Sequence, residues 1–130
     1  MLIFRTEMLR SADNVVRKNI LVVDDDPATA ESIKLLLDID RHLVTVASNG
    51  MEALLLFEKW GSFDLVITDY LMPGMLGDEL ARRIRAFTPT QPILMVTAYV
   101  EKLIAAGQPA DSMLGKPWSV DDLRRAVARV

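Results

Sequence analysis

The chain has 130 residues, with 15 Lys+Arg against 18 Asp+Glu for a formal net charge of −3, and no cysteine. That length buries a core in one domain without staples, and the missing cysteine excludes a disulfide scaffold, thiolate zinc sites and a cysteine nucleophile. With 51% hydrophobic and 25% charged residues, mild acidity and only short apolar runs, the composition predicts a soluble cytoplasmic globule with no membrane and no direct nucleic-acid partner. The opening Met1-Leu2-Ile3-Phe4 meets Arg5 at once and lacks the charged start and apolar length of a signal peptide.

Residues 1–18 have no strong period and read as an arm whose order the sequence leaves open; 19–130 read as the domain. Ile20-Leu21-Val22-Val23 is a continuous β-prone run of the kind buried on both faces of a parallel sheet. Asp26-Pro27 follows as an N-cap with proline at the first helical position, and Ala30, Ile33, Leu36 and Leu37 predict a helix over 27–38. The unit then recurs. Leu43–Ala47 is a strand, and Asn49-Gly50 leads into a helix carrying Ala53, Leu54, Phe57 and Trp60. Asp64–Thr68 is a strand, followed by a Pro/Gly loop from Tyr70 to Gly77 and a helix through Leu80, Ile84 and Phe87. Pro92–Val96 is a strand with a shorter helix near 99–106, and Ser112–Leu114 sits where a fifth strand belongs. Ser119 with Asp122 resembles a capping box opening a last helix through Leu123, Val127 and Val130. Five strands, each followed by a helix, predict an α/β, doubly wound parallel sheet with helices on both faces.

Ligands of such sheets bind at the carboxyl ends of the strands. There the sequence offers Asp24, Asp25 and Asp26 after the first strand, Asp69 after the third, Thr97 after the fourth and Lys116 after the fifth. Clustered carboxylates repel unless a cation neutralises them, and oxygen ligands without thiols suit Mg²⁺. Lys116 adds a point charge for a phosphoryl group, Thr97 a hydroxyl donor, and an Asp beside Mg²⁺ serves as a nucleophile forming an acyl-phosphate. Other polar residues take plainer readings. Asp26 is an N-cap, His42 a surface loop residue, and Met72, Met75, Met95 and Met113 packing groups. Arg82, Arg83 and Arg85, like Arg124, Arg125 and Arg129, read as solvated helix faces.

Over 19–130 these residues resemble the receiver domain of bacterial two-component response regulators, of the stand-alone, chemotaxis-regulator-like kind. ILVVDDDP is similar to the family's first strand and acidic pair, DLVITDYLMPGMLG to its third strand and phosphoacceptor loop, and ILMVTA and GKP to its Thr and Lys-Pro motifs; the interval 69 − 25 = 44 also fits. The resemblance implies a flavodoxin-like strand order 2-1-3-4-5, and a domain that is not a turnover enzyme but catalyses its own phosphorylation. Asp69 would accept a phosphoryl group from a sensor histidine kinase or a histidine phosphotransfer protein. Asp25 and Asp69 would bind Mg²⁺ directly with the backbone carbonyl of Leu71, and Asp24 through a metal-bound water. Lys116 would pair with Asp69, and Thr97 would move to the phosphoryl group and switch binding of a downstream protein target. The Lys116–Pro117 bond would be cis, and a homodimer through the face of the fourth and fifth helices stays open.

Two positions and one interval depart from the pattern. Met113 replaces an aromatic switch residue on the fifth strand, the interval 116 − 97 = 19 leaves the fourth helix more than a turn short, and Leu76 stands where an acid is common. Two alternatives follow: a degenerate receiver acting as a phosphorylation-independent binding module, and a haloacid-dehalogenase-like phosphatase using the Asp-x-Asp within Asp24-Asp25-Asp26. A P-loop is excluded, because Gly115-Lys116 precedes Pro117.

Overall fold

The computed structural model describes residues 16–130, so the expected arm over 1–18 lies outside the described residues except for its last three. Strands β1 (Asn19–Val23), β2 (Leu43–Ala47), β3 (Leu65–Asp69), β4 (Ile93–Thr97) and β5 (Ser112–Gly115) alternate with helices α1 (Pro27–Ile39), α2 (Gly50–Trp60), α3 (Gly77–Phe87), α4 (Val100–Ala105) and α5 (Val120–Ala128). The sheet is wholly parallel in the order β2-β1-β3-β4-β5, the doubly wound, flavodoxin-like arrangement the pattern predicts.

Alternation along the central strands divides the core into two layers. Ile20, Val22, Leu65, Ile67, Leu94 and Val96 pack against Ile33 and Leu37 of α1 and Leu123 and Val127 of α5. Leu21, Val23, Val66 and Ile93 pack against Ala53 and Phe57 of α2 and Leu80 and Ile84 of α3. Side chains of a strand point to opposite faces in turn, so a strand covered on both faces is apolar throughout. The caps follow the sequence. Asp26 accepts the Ala28 N–H, Asn49 the Glu52 N–H, and Ser119 with Asp122 closes a reciprocal capping box. Leu76, at the N-cap of α3, makes no side-chain cap bond.

Strands β3 and β4 each run one residue further than the hydrophobic pattern sets them. Asp69 pairs in register with Val96, and Thr97 with Gly115, so both polar residues belong to the ladder. Helix α4 has only six residues, the short element that the 97–116 interval predicts. Met72, Met75 and Met95 are buried and Met113 is half-buried.

Two expectations are corrected. Arg85 leaves the solvated face of α3, where Arg82 and Arg83 remain, and pairs at 2.6 Å with Asp111, whose same carboxylate oxygen accepts the Ile93 N–H at the start of β4. His42 is not a surface residue: it is 8% exposed, and its Nδ1 accepts the Lys18 backbone N–H at 3.0 Å. The cause is tertiary. Arg41 takes a φ of 65° and the His42 N–H donates to Leu37 O, turning the imidazole beneath α1 against the entry to β1. There the Lys18 ammonium donates to the carbonyls of Val127 and Val130, satisfying the end of α5.

Burial lowers the pKa of His42 below the ordinary 6.5; the charge of Asp40 opposes the shift and that of Lys18 adds to it. Burial likewise lowers that of Lys18, against the charge of Asp64. An imidazole that resists protonation when folded lets the unfolded chain bind more protons, so stability falls as the pH drops through about 6.5. Urea unfolding midpoints should decline between about pH 7.5 and 5.5, and His42→Gln should flatten that slope; equal slopes for both proteins would remove His42 as its source.

Candidate functional site

In a parallel sheet all strands end on one rim, and at this rim the chain gathers three acids, a threonine and a lysine. Asp24 and Asp25 lie in the turn from β1 to α1, Asp69 ends β3, Thr97 ends β4, and Lys116 follows β5. Backbone bonds between neighbouring strands tie the rim together. The Asp24 N–H donates to Ala47 O at 3.1 Å, the Tyr70 N–H to Val96 O at 3.1 Å, and the Lys116 N–H to Thr97 O at 2.9 Å.

One carboxylate oxygen from each of Asp24, Asp25 and Asp69 lies within 4.8 Å of the others. Asp24 and Asp69 are buried and Asp25 is exposed. Lys116 Nζ lies 2.8 Å from Asp69 Oδ1. Burial raises the pKa of Asp24; the Asp26 N–H, 2.9 Å from its Oδ1, opposes the rise, the charge of Asp69 adds to it, that of Lys116 opposes it and that of Asp25 adds again. Burial alone would lower the pKa of Lys116, but the hydrogen bond and charge of Asp69, with the charges of Asp24 and Asp25, outweigh it and leave the ammonium above its ordinary value. Three acids thus share one cation, which leaves an excess of negative charge in a half-buried cleft.

Oxygen donors this close together fit a hard divalent cation such as Mg²⁺, which takes one or two carboxylates and keeps water in its other positions. Asp26 stands apart from the cluster. Its carboxylate accepts the Thr29 hydroxyl at 2.6 Å and the Ala28 N–H at 3.3 Å, so it is spent on the start of α1.

Thr97 is buried, and its Oγ1 accepts the Tyr99 N–H at 3.0 Å, holding the turn into α4. Leu71 lies two residues beyond Asp69 with its side chain exposed. Met113 sits away from the acids, in register with Met95. The Lys116–Pro117 peptide is cis.

Two contributors escape the sequence. A Cβ on Gly77 would come within 2.3 Å of Asp69 O, and the Gly77 N–H donates to Tyr70 O at 2.7 Å, so only glycine lets α3 start against the end of β3. Thr68, fully buried, donates its hydroxyl to Asp69 O at 2.9 Å. The signal for Gly77 was its place at the end of the Pro/Gly loop; Thr68 carried none, because a threonine in a β-run reads as packing.

Comparison with known proteins agrees with this geometry. The family model for the response regulator receiver domain matches residues 20–128. The sensory transduction protein RegX3 of Mycolicibacterium smegmatis is 32% identical over 115 residues, covering 86% of this chain and 48% of its own length. The response regulator MprA of a Mycobacterium species is 36% identical over 107 residues, with 80% and 46% covered. The chain therefore spans about half the length of the curated relatives it matches. Among solved structures, the Vibrio cholerae chemotaxis protein CheY4 superposes with a TM-score of 0.79 at 29% identity, over 88% of this chain and 99% of that one. A response regulator receiver domain protein from Clostridium thermocellum gives 0.75 at 33%, over 85% and 94%. Sheet order, acidic rim and matched sequence converge: the chain belongs to the response regulator receiver domain family of two-component signalling.

Proposed function

We propose that the domain accepts a phosphoryl group on Asp69 from the phosphohistidine of a sensor kinase or of a histidine phosphotransfer protein, and so switches its binding of a downstream protein. The observation that carries this reading is the 2.8 Å contact between Lys116 Nζ and Asp69 Oδ1, beside two further carboxylates. A carboxylate oxygen of Asp69 attacks phosphorus as the bond to the donor imidazole nitrogen breaks, and the electron pair leaves with the imidazole. Lys116 then pairs with a phosphoryl oxygen instead of the free carboxylate. Asp25 and Asp69 with the Leu71 carbonyl would hold Mg²⁺, and Asp24 would act through its water; when bound, the ion neutralises charge on the transferring phosphoryl oxygens.

The hydroxyl of Thr97 accepts the Tyr99 N–H and keeps its own hydrogen for a phosphoryl oxygen. Turning toward that oxygen costs the bond to Tyr99 and loosens the entry to α4, which couples the chemistry to the β4–α4 segment. The phosphatase alternative loses its general acid, because Asp26 is bonded into α1. The cluster of Asp24, Asp25 and Asp69 around one lysine argues against a binding module indifferent to phosphorylation.

Incubation with Mg²⁺ and acetyl phosphate should add one phosphoryl group to the intact mass, and Asp69→Asn or removal of metal should abolish the gain; steady release of phosphate from a phosphomonoester, or no gain with any donor, would overturn the reading. Mg²⁺ should also raise the unfolding temperature, by about 2.7 kcal/mol of stability at a hundredfold excess over its dissociation constant, and Asp25→Asn should lose most of that rise. With Met113 in place of an aromatic residue and a six-residue α4, Mg²⁺ and beryllofluoride should move amide resonances strongly around Asp69 and weakly over 100–116. Equal movement in both regions would show that the relay to β5 is intact.

A further inference from the structure

Helices α2 and α3 both start at the acidic rim and run back along the same face of the sheet, so they lie side by side and parallel. The surface between them is an open groove. It begins beside Asp25 and Met75, is lined along its length by Met51 and Arg83, and ends at Phe87. Met51, Leu55 and Phe87 stand 57%, 63% and 67% exposed along it. Helix α2 already buries Ala53 and Phe57 inward, so Met51 and Leu55 form a second apolar stripe for which the domain itself has no use. Contiguous exposed apolar side chains rimmed by charge mark an interaction surface.

We propose that this groove is an interface between two copies of the chain, related by a two-fold axis parallel to α2 and α3. Charge selects this occupant. On the α2 wall stands Glu58, which forms no ion pair among the described residues; on the α3 wall stands Arg83, held only by the exposed Glu79 at 3.1 Å. Glu58 is the ninth residue of α2 and Arg83 the seventh of α3, so they differ by about 3 Å in height below the rim at ~1.5 Å rise per residue. A two-fold axis along the groove seats α2 of one copy on α3 of the other with both rims at the same end. It forms the Glu58–Arg83 pair twice and lays each Leu55 and Phe87 into the opposing groove. Asp25 and Glu79 also border the groove toward the rim, so in the pair of copies each Arg83 would lie between its own Glu79 and the Glu58 of the other copy, an acidic wall meeting a basic one under that rotation. The interface is separate from the face of α4, β5 and α5 and leaves Asp69 open at the shared rim.

Light scattering and sedimentation equilibrium on the whole chain, between about 10 µM and about 1 mM, the range suited to a small patch, should show the mass rising from 14.5 kDa toward twice that value. Leu55→Glu should hold it at the monomer, as should Glu58→Arg or Arg83→Glu alone, while the double variant Glu58→Arg with Arg83→Glu should recover association. Amide spectra of each variant report that the fold is retained. A single monomer mass at every concentration would overturn the proposal. So would a dimer that ignores Leu55→Glu and the charge exchanges, since its interface would lie elsewhere, and so would single reversals that associate as well as the original chain.

Discussion

The acidic rim depends on a repulsion that the sheet is strong enough to hold. Asp24, Asp25 and Asp69 bring oxygens within 4.8 Å of one another, and two of the three are buried. Water would screen such a cluster at an open surface; in a half-buried cleft the repulsion persists. What keeps the acids in place is the backbone ladder beneath them. β1, β3 and β4 are adjacent, fully parallel and apolar on both faces, so the positions of their ends are set by packing far from the charges. The sheet therefore supplies the rigidity and the rim the electrostatic tension, and Lys116 relieves only part of it. The remaining negative charge favours a cation in the cleft; in the proposed function, metal and lysine together would balance the charge that a transferring phosphoryl group brings.

The ties at the rim also join the loops to the sheet. Tyr70 donates to Val96 and Lys116 to Thr97 through the backbone, so the loops after β3 and β5 are fastened to β4. In the proposed function Thr97 would give up its present bond to the Tyr99 N–H, as Lys116 would give up its contact with the free Asp69 carboxylate. Helix α4 follows at once and is too short to be held by many contacts: it buries Leu103 and little else. A short helix with one buried anchor lies at the low-stability end of the fold, where local rearrangement costs least.

Residues whose chemistry admits few substitutes were readable from the chain. Asp24, Asp25, Asp69 and Lys116 fall just where apolar runs stop, and the parallel βα pattern alone brings those stops to one rim. Positions set by tertiary contact were not. His42 sits in a stretch of turn residues with no apolar period, and its burial depends on Lys18, which is remote in sequence and is itself held by the end of α5. Arg85 carries the same triad spacing as its exposed neighbours, and only the arrival of Asp111 from before β5 takes it from the solvated face. Strand ends were misjudged by one residue because a hydrophobic pattern ends with the last apolar side chain, whereas the ladder ends with the last backbone bond. For β3 and β4 that difference is Asp69 and Thr97, two residues central to the proposed chemistry.

The two ends of the domain are built on opposite principles. At the rim, polar groups are held by backbone bonds on rigid strands, and small displacements would be costly. At the far end, the Lys18 ammonium donates to carbonyls that the end of α5 leaves unsatisfied, and the His42 imidazole accepts the Lys18 backbone N–H beside the entry to β1. A neutral imidazole accepts the Lys18 N–H and an imidazolium cannot, since both of its nitrogens then donate. The packing of α5 against β1 thus contains a group whose acceptor role ends on protonation, while the rim contains groups whose roles begin when charge is added. The sheet separates the two, so that the proposed phosphorylation at one end would leave the anchorage of α5 at the other undisturbed.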